Sequence, residues 1–181
     1  MRFFVLLWFV TLSLSPVLGF SDSGCTDAME KKTQDKTCEG KSAGAANIPV
    51  KANKLSDDNT VETVKRFYKA MSEHDSLAAA RLLSDTFTSE VRQDNTPTVR
   101  NNKSTMVRGL EMVLDATRLY NAKIDCSIKR RTPNAYALSC LVDEQGIVMD
   151  QFRRTLSDQS VTVVLDDGFA KISKIVSVHR N

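Results

Sequence analysis

Two histidines in 181 residues, and four cysteines that stand far apart, leave little from which to build a metal centre. Zinc sites draw on Cys and His at close knuckle spacing. Neither Cys25 with Cys38 nor Cys126 with Cys140 is near enough for that, and only His74 and His179 could assist. No metal and no cofactor is expected. Charge of one sign is also missing, since 25 Lys and Arg face 22 Asp and Glu for a net charge of +3. So even a balance makes no field that would gather nucleic acid or an anionic membrane. The cluster Lys129, Arg130 and Arg131 reads instead as a solvated strand end and turn. Past the first residues, no run approaches the roughly 20 apolar residues of a bilayer span, and no internal repeat is visible. Neither nucleic acid nor a membrane is an expected partner of the mature chain.

The chain does open on MRFFVLLWFVTLSLSPVLGF, with one early cation, an apolar run, and a break at Pro16 before Val17 and Gly19. Residues 1–19 are expected to be a cleaved export signal and the protein to be secreted to the extracellular space. Removing Arg2 lowers the net charge from +3 to +2. Residues 20–57 are polar and nearly free of large apolar groups, too poor in buried surface to offset chain entropy. They are read as a flexible leader ahead of one domain at 58–181. Export also makes disulfides the expected state of the cysteines. Cys25 and Cys38 could close a small loop in the leader.

Two helical stripes follow. Asn59 with Glu62 three positions on offers a reciprocal N-cap, and Val61, Val64, Phe67, Tyr68 and Met71 recur at helical spacing. Asp75 caps a second helix in which Leu77, Ala80, Leu83 and Phe87 recur at three and four residues. A short strand and a turn at Asn95 and Pro97 lead to a third helix, capped by Asn102 or Ser104 and carrying Met106, Leu110, Val113 and Leu114. Asn102-Lys103-Ser104 is also an N-glycosylation sequon, so a glycan and the helix cap compete for Asn102.

From Tyr120 the period changes to two. Tyr120, Ala122, Ile124, Cys126 and Ile128 share one face, and Tyr136, Leu138, Cys140 and Val142 share one face of the next strand. With a hairpin loop over 131–135, Arg130 faces Tyr136, Ile128 faces Leu138, Cys126 faces Cys140 and Ile124 faces Val142. One register aligns both apolar faces and both thiols, which predicts a Cys126–Cys140 disulfide. Further strands are expected over 147–156, 161–165 and 169–178, with turns at Gly146 and Asp167-Gly168. Ile172 and Ile175, three apart, suggest a bulge at Ser173 or Lys174.

The segments VKRFYKAMSEHDSLAAARLL and DDGFAKISKI resemble the opening hairpin and closing turn of the nuclear transport factor 2-like superfamily, which includes ketosteroid isomerases and SnoaL-like cyclases. With an export signal and cysteines, the chain resembles most the secreted members found in nematodes. The resemblance implies an α+β cone: three N-terminal helices packed on a strongly curved antiparallel sheet of about five to six strands. It also places the isomerase phenol at Phe67 and the base at Val91, where neither residue can do that chemistry. Tyr68 and Glu90 are each one position away, and on a helix one position is a rotation of about 100°.

No catalytic residue is therefore assigned. The expected function is a secreted, non-catalytic domain that binds a small apolar or amphipathic ligand in the cone. Tyr68, Met71, Met106, Tyr136, Met149 and Phe152 are the candidate lining. Asp150 and Arg154 would be a buried pair if their strand face turns inward. Two alternatives stand beside this reading. One is a homodimeric interaction module using the outward row Ala135, Ala137, Ser139 and Leu141. The other is an isomerase, dehydratase or cyclase with a non-standard site, which needs a titratable group in the cone.

Overall fold

A computed structural model describes residues 49–93 and 97–180. The expected signal at 1–19, most of the leader, and Cys25 and Cys38 lie outside these residues. Ten elements follow in order: β1 (Val50–Lys51), α1 (Asp57–Ser72), α2 (Ser76–Arg81), β2 (Leu83–Arg92), β3 (Val99–Asn102), α3 (Lys103–Ala116), β4 (Thr117–Arg131), β5 (Ala135–Val148), β6 (Gln151–Asp166) and β7 (Phe169–His179).

Helix α1 starts three residues earlier than Asn59 would set it. Ser56 is the N-cap: its Oγ accepts from Asn59 N at 3.3 Å while Ser56 N donates to Asn59 Oδ1 at 2.9 Å. Asn59 thus closes a capping box from the N3 position. Asp57 and Asp58 complement the helix dipole at this end, and Lys69 does so in the last turn. Val64, Phe67, Tyr68 and Met71 bury the inner stripe. Asp75 caps α2 by accepting from Ala78 N at 2.8 Å, but α2 ends after six residues. Leu83 and Phe87 then lie on β2, where Thr86, Phe87 and Thr88 bring the β-branched and aromatic content that favours strands. Lys103 ties the start of α3 to the start of β2 through Leu83 O at 3.0 Å and Asp85 Oδ1 at 2.8 Å.

The sheet has seven strands in the order β3-β2-β7-β6-β5-β4, with β1 on β7. It is mixed, because β2 runs parallel to β7 while the other pairs are antiparallel. This differs from the expected antiparallel sheet and from three helices in one N-terminal block. The reason is local: β1 and β3 are too short to show a period, and β2 continues α2 with the same apolar spacing. The fold also takes in residues ahead of position 58, where Val50 pairs with Ala170 and Ala52 and Leu55 are buried.

The long hairpin keeps Cys126 opposite Cys140, Ile128 opposite Leu138 and Ile124 opposite Val142. A register shift after Ile128 moves Arg130 opposite Ala137 and brings Arg131 opposite Tyr136. The Cys126–Cys140 disulfide is formed. Strand β5 runs through Gly146, so the next turn falls at Met149 and Asp150, both left-handed with φ of 49° and 62°. Asp167 and Gly168 make the equivalent turn before β7 with φ of 52° and 75°. Two consecutive left-handed residues match the right-handed twist of a tight hairpin. Thr162 pairs with Lys174 but Val163 pairs with Ile172, leaving Ser173 as the extra residue of a bulge. Between the inner face of the sheet and the helices sits the core, centred on Phe67, Phe87, Leu110, Leu138, Val161, Val163 and Ile172.

Candidate functional site

The inner wall of the sheet changes character along its length. Around Leu138, Val142, Val161 and Val163 it is apolar. Toward the far end of β5, β6 and β7, the side chains that turn inward are Glu144, Ser157, Gln159 and Ser177, all buried. Burying such groups is costly unless they find partners. Some do. Tyr68 reaches down from α1 and donates its hydroxyl to Gln159 Oε1 at 2.6 Å. Gln159 Nε2 donates to Ser157 Oγ at 3.2 Å. Tyr120 on β4 donates to Glu144 Oε1 at 2.6 Å.

Others do not. Among the described residues, the buried side-chain atoms without a hydrogen-bond partner are Glu144 Oε2, Ser177 Oγ and His179 Nε2. All three belong to strands of this wall. Glu144, Ser177, Tyr68, Gln159 and Tyr120 line an internal cavity of about 40 Å³, closed on its other side by Phe67, Met71, Met106 and Leu110. Such a volume holds about one water, whose share of liquid volume is ~30 Å³. A wider hollow of about 700 Å³ runs between α1 and β4, but it is an open groove crossed by the Arg131–Asp57 ion pair.

Burial raises the Glu144 carboxyl above its usual range, opposed by the hydrogen bond from Tyr120. Burial also pushes the Tyr68 and Tyr120 hydroxyls well up, with the Glu144 charge adding to both. Burial lowers His179. Burial thus disfavours charge on the groups of this wall. Among the described residues no group of three or more His, Cys, Asp or Glu could hold a metal ion.

Of the residues singled out in the sequence, Tyr68, Met71 and Met106 line this cavity. Tyr136 is half-buried elsewhere and donates to Leu55 O at 3.2 Å, pinning the segment before α1. Met149, Asp150, Phe152 and Arg154 stand outside the cone, with Met149 60% and Phe152 67% exposed. Asp150 and Arg154 are not paired with each other. Asp150 takes Arg118 at 2.8 Å, and Arg154 holds Asp143 through two bonds of 2.9 and 2.7 Å. Since Ser157, Gln159, Val161 and Val163 turn inward, the alternation of β6 sends even-numbered residues outward. Asn102 is exposed and caps α3, its Oδ1 accepting from Thr105 N at 3.0 Å and from the Ser104 hydroxyl at 2.9 Å. Phe67, Glu90 and Val91 all line the cavity, and the Glu90 carboxylate is held by Arg92, Arg100 and Lys174.

Glu144, Tyr120 and Gln159 are the residues missed as a site. The signal for Glu144 was present: Tyr136, Leu138, Cys140 and Val142 set an inward alternation whose next member is residue 144.

No family model matches the chain. No curated protein matches it either. Solved structures do match. A benzoate 1,2-dioxygenase β subunit from Burkholderia mallei superposes with a TM-score of 0.61 at 8% identity, over 70% of this chain and 92% of that one. A dehydratase candidate of the nuclear transport factor 2-like family from Streptomyces avermitilis gives 0.56 at 13% identity, over 70% and 99%. A ketosteroid isomerase-like protein from Erwinia carotovora atroseptica gives 0.53 at 7% identity, over 67% and 94%. At identities this low the likeness establishes the fold, that of a nuclear transport factor 2-like cone.

Proposed function

We propose that this protein is a secreted, non-catalytic binding module whose cone holds a small, mainly apolar or amphipathic molecule. One observation carries the reading: a small, largely apolar cavity lined by Glu144 and Ser177, whose Oε2 and Oγ atoms have no hydrogen-bond partner. Ligand pockets join an apolar lining to a few fixed polar groups in this way. Anything larger than a water must displace side chains, and Met71 and Met106 on the helical side are the adaptable ones. The Cys126–Cys140 bridge supports export, since disulfides persist in oxidising compartments. A chemical role for Glu144 would need a second group to take or return its proton. Of the titratable neighbours that line the cavity with it, Tyr68 and Tyr120 are held neutral by burial, and Glu90 is held charged by Arg92, Lys174 and Arg100.

Native mass spectrometry of the protein exported from a eukaryotic host tests this. The wild type is expected to carry a small molecule that Met106→Trp, which fills the cavity, excludes. A bare wild-type mass, together with no thermal shift from apolar or amphipathic probes, would overturn the reading.

A second reading has its own support. Leu119, Ile147 and Phe152 lie in one cross-strand row on the outer face, with Leu119 65% and Phe152 67% exposed. Leu141 and Val178 extend the apolar surface. Such a face suits a second copy of the chain, and the fold neighbours include a dioxygenase β subunit and an association-domain protein.

A further inference from the structure

Among the described residues, the other carboxylates that are not fully exposed already have a role. Glu90, Asp143 and Asp166 are each within ion-pair distance of a Lys or Arg, and Asp75 caps α2. Glu144 alone is buried with no cation beside it. No Lys, Arg or His lines its cavity, and one of its two oxygens is empty. The second empty atom on the cavity wall, Ser177 Oγ, can also accept. The nearby donors are taken: the Tyr68 hydroxyl by Gln159 and the Tyr120 hydroxyl by Glu144. What Glu144 lacks is a donor to its second oxygen and a positive charge beside it.

An ammonium supplies both, since it carries three donors and no acceptor. The rest of the lining suits the remainder of such a ligand. Phe67 and Tyr68 meet edge to face with ring centroids 5.4 Å apart, and Tyr120 lines the same cavity, so aromatic rings border the cation's place. Met71, Met106, Leu110 and Val113 offer an apolar bed for an alkyl or aryl tail. The titratable groups that line the cavity with Glu144 are Tyr120 from β4, Tyr68 from α1 and, from β2, Glu90, whose carboxylate is held by Arg92, Arg100 and Lys174. Strand β6 contributes uncharged Ser157 and Gln159, and β7 contributes Ser177 with His179 at its end.

From this geometry we propose that the cone's ligand is a small primary amine, bound as its ammonium, with the Glu144 carboxylate as counter-ion and Ser177 as second acceptor. The proposal rests on the binding reading above and narrows it to one charge class. Pairing turns a buried acid from an electrostatic liability into one half of an enclosed salt bridge. It also couples ligand uptake to pH, because a cation beside Glu144 favours the charged carboxylate that burial disfavours.

Calorimetry on the oxidised exported protein, using n-butylamine and 2-phenylethylamine beside the matched alcohols and carboxylates, tests it. An amine is expected to bind about tenfold or more tighter than its alcohol, the worth of one charged hydrogen bond. Titrations in two buffers of different ionisation enthalpy should show proton release on amine binding. Glu144→Gln should bring the amine-to-alcohol ratio to about one and abolish proton release. Ser177→Ala, a smaller change in case the first variant misfolds, should reduce amine affinity severalfold. If alcohols bind as tightly as amines, the amine assignment falls and the binding module stands. If no probe binds, both fall.

Discussion

Glu144 sits where ionisation is disfavoured, and that gives its contribution to stability a definite sign. Its folded-state carboxyl lies above the unfolded value because burial removes it from water. Below the unfolded carboxylate range its contribution is fully present, and it is lost as pH rises through the raised folded value. The ion-paired acids Asp57, Asp85, Glu90, Asp143 and Asp158 are shifted the other way by their Arg and Lys partners. Their slope is shared by any variant that leaves them alone, so a difference measurement removes it. Glu144→Gln should therefore match or fall slightly below the wild type in acid and gain on it steadily toward neutral and alkaline pH. Thermal unfolding of both proteins from pH 4 to 9 gives the curve, and a difference flat across that range would refute the buried-acid assignment. At this scale the site was half legible. The inward alternation of β5 points straight at Glu144. In β6 the apolar residues Phe152 and Leu156 are even-numbered and outward while inward Ser157 and Gln159 are polar, so hydrophobicity there assigns the wrong face.

Element by element, the hairpin of β4 and β5 was the most readable part of the chain, because two apolar rows and two thiols agree on a single register. The bridge does not create that register; it closes a loop of sequence separation 14 in the unfolded chain. A loop of that size corresponds to about 3 kcal/mol of stabilisation in the chain-entropy model. Denaturant unfolding of Cys126→Ser/Cys140→Ser against the oxidised wild type should show a loss of about this size, with an unchanged far-ultraviolet spectrum. A loss below about 0.5 kcal/mol would mean that the reduced hairpin holds itself closed through its ladder. Elements defined by their ends were less readable. Asn59 and Ser56 both satisfy the preferences of an N-cap, and the choice depends on which amide each oxygen meets. The passage from α2 into β2 is hidden for a related reason. Leu77, Ala80, Leu83 and Phe87 keep helical spacing, yet Leu77 is 61% exposed and the last two are fully buried strand residues. Parallel pairing of β2 with β7 supplies the long-range contacts that override local preference there.

For the molecule as a whole, the telling feature is an inversion across one end of the sheet: acid, amide and hydroxyl groups inside, Leu119, Leu141, Ile147, Phe152 and Leu156 outside. A chain selected only to fold would have these the other way round. The inner half of the inversion is the proposed amine site, and the outer half asks for a cover. In a two-fold interface each outward residue is used twice, so a single substitution removes two anchors. Phe152 is 67% exposed, hence Phe152→Glu should leave the melting temperature of the isolated fold almost unchanged. Within a dimer, the same substitution withdraws two aromatic side chains, each worth about 1.5–3 kcal/mol on burial, and introduces two charges. The dimer Kd should rise by on the order of a hundredfold or more. Sedimentation equilibrium across a broad concentration range would show a wild-type dimer and a Phe152→Glu monomer. A wild type that stays monomeric at tens of micromolar would leave the outer row without a homotypic role, while the cavity behind it, bounded by α1, α3 and the opposite face of the same strands, would keep its chemistry.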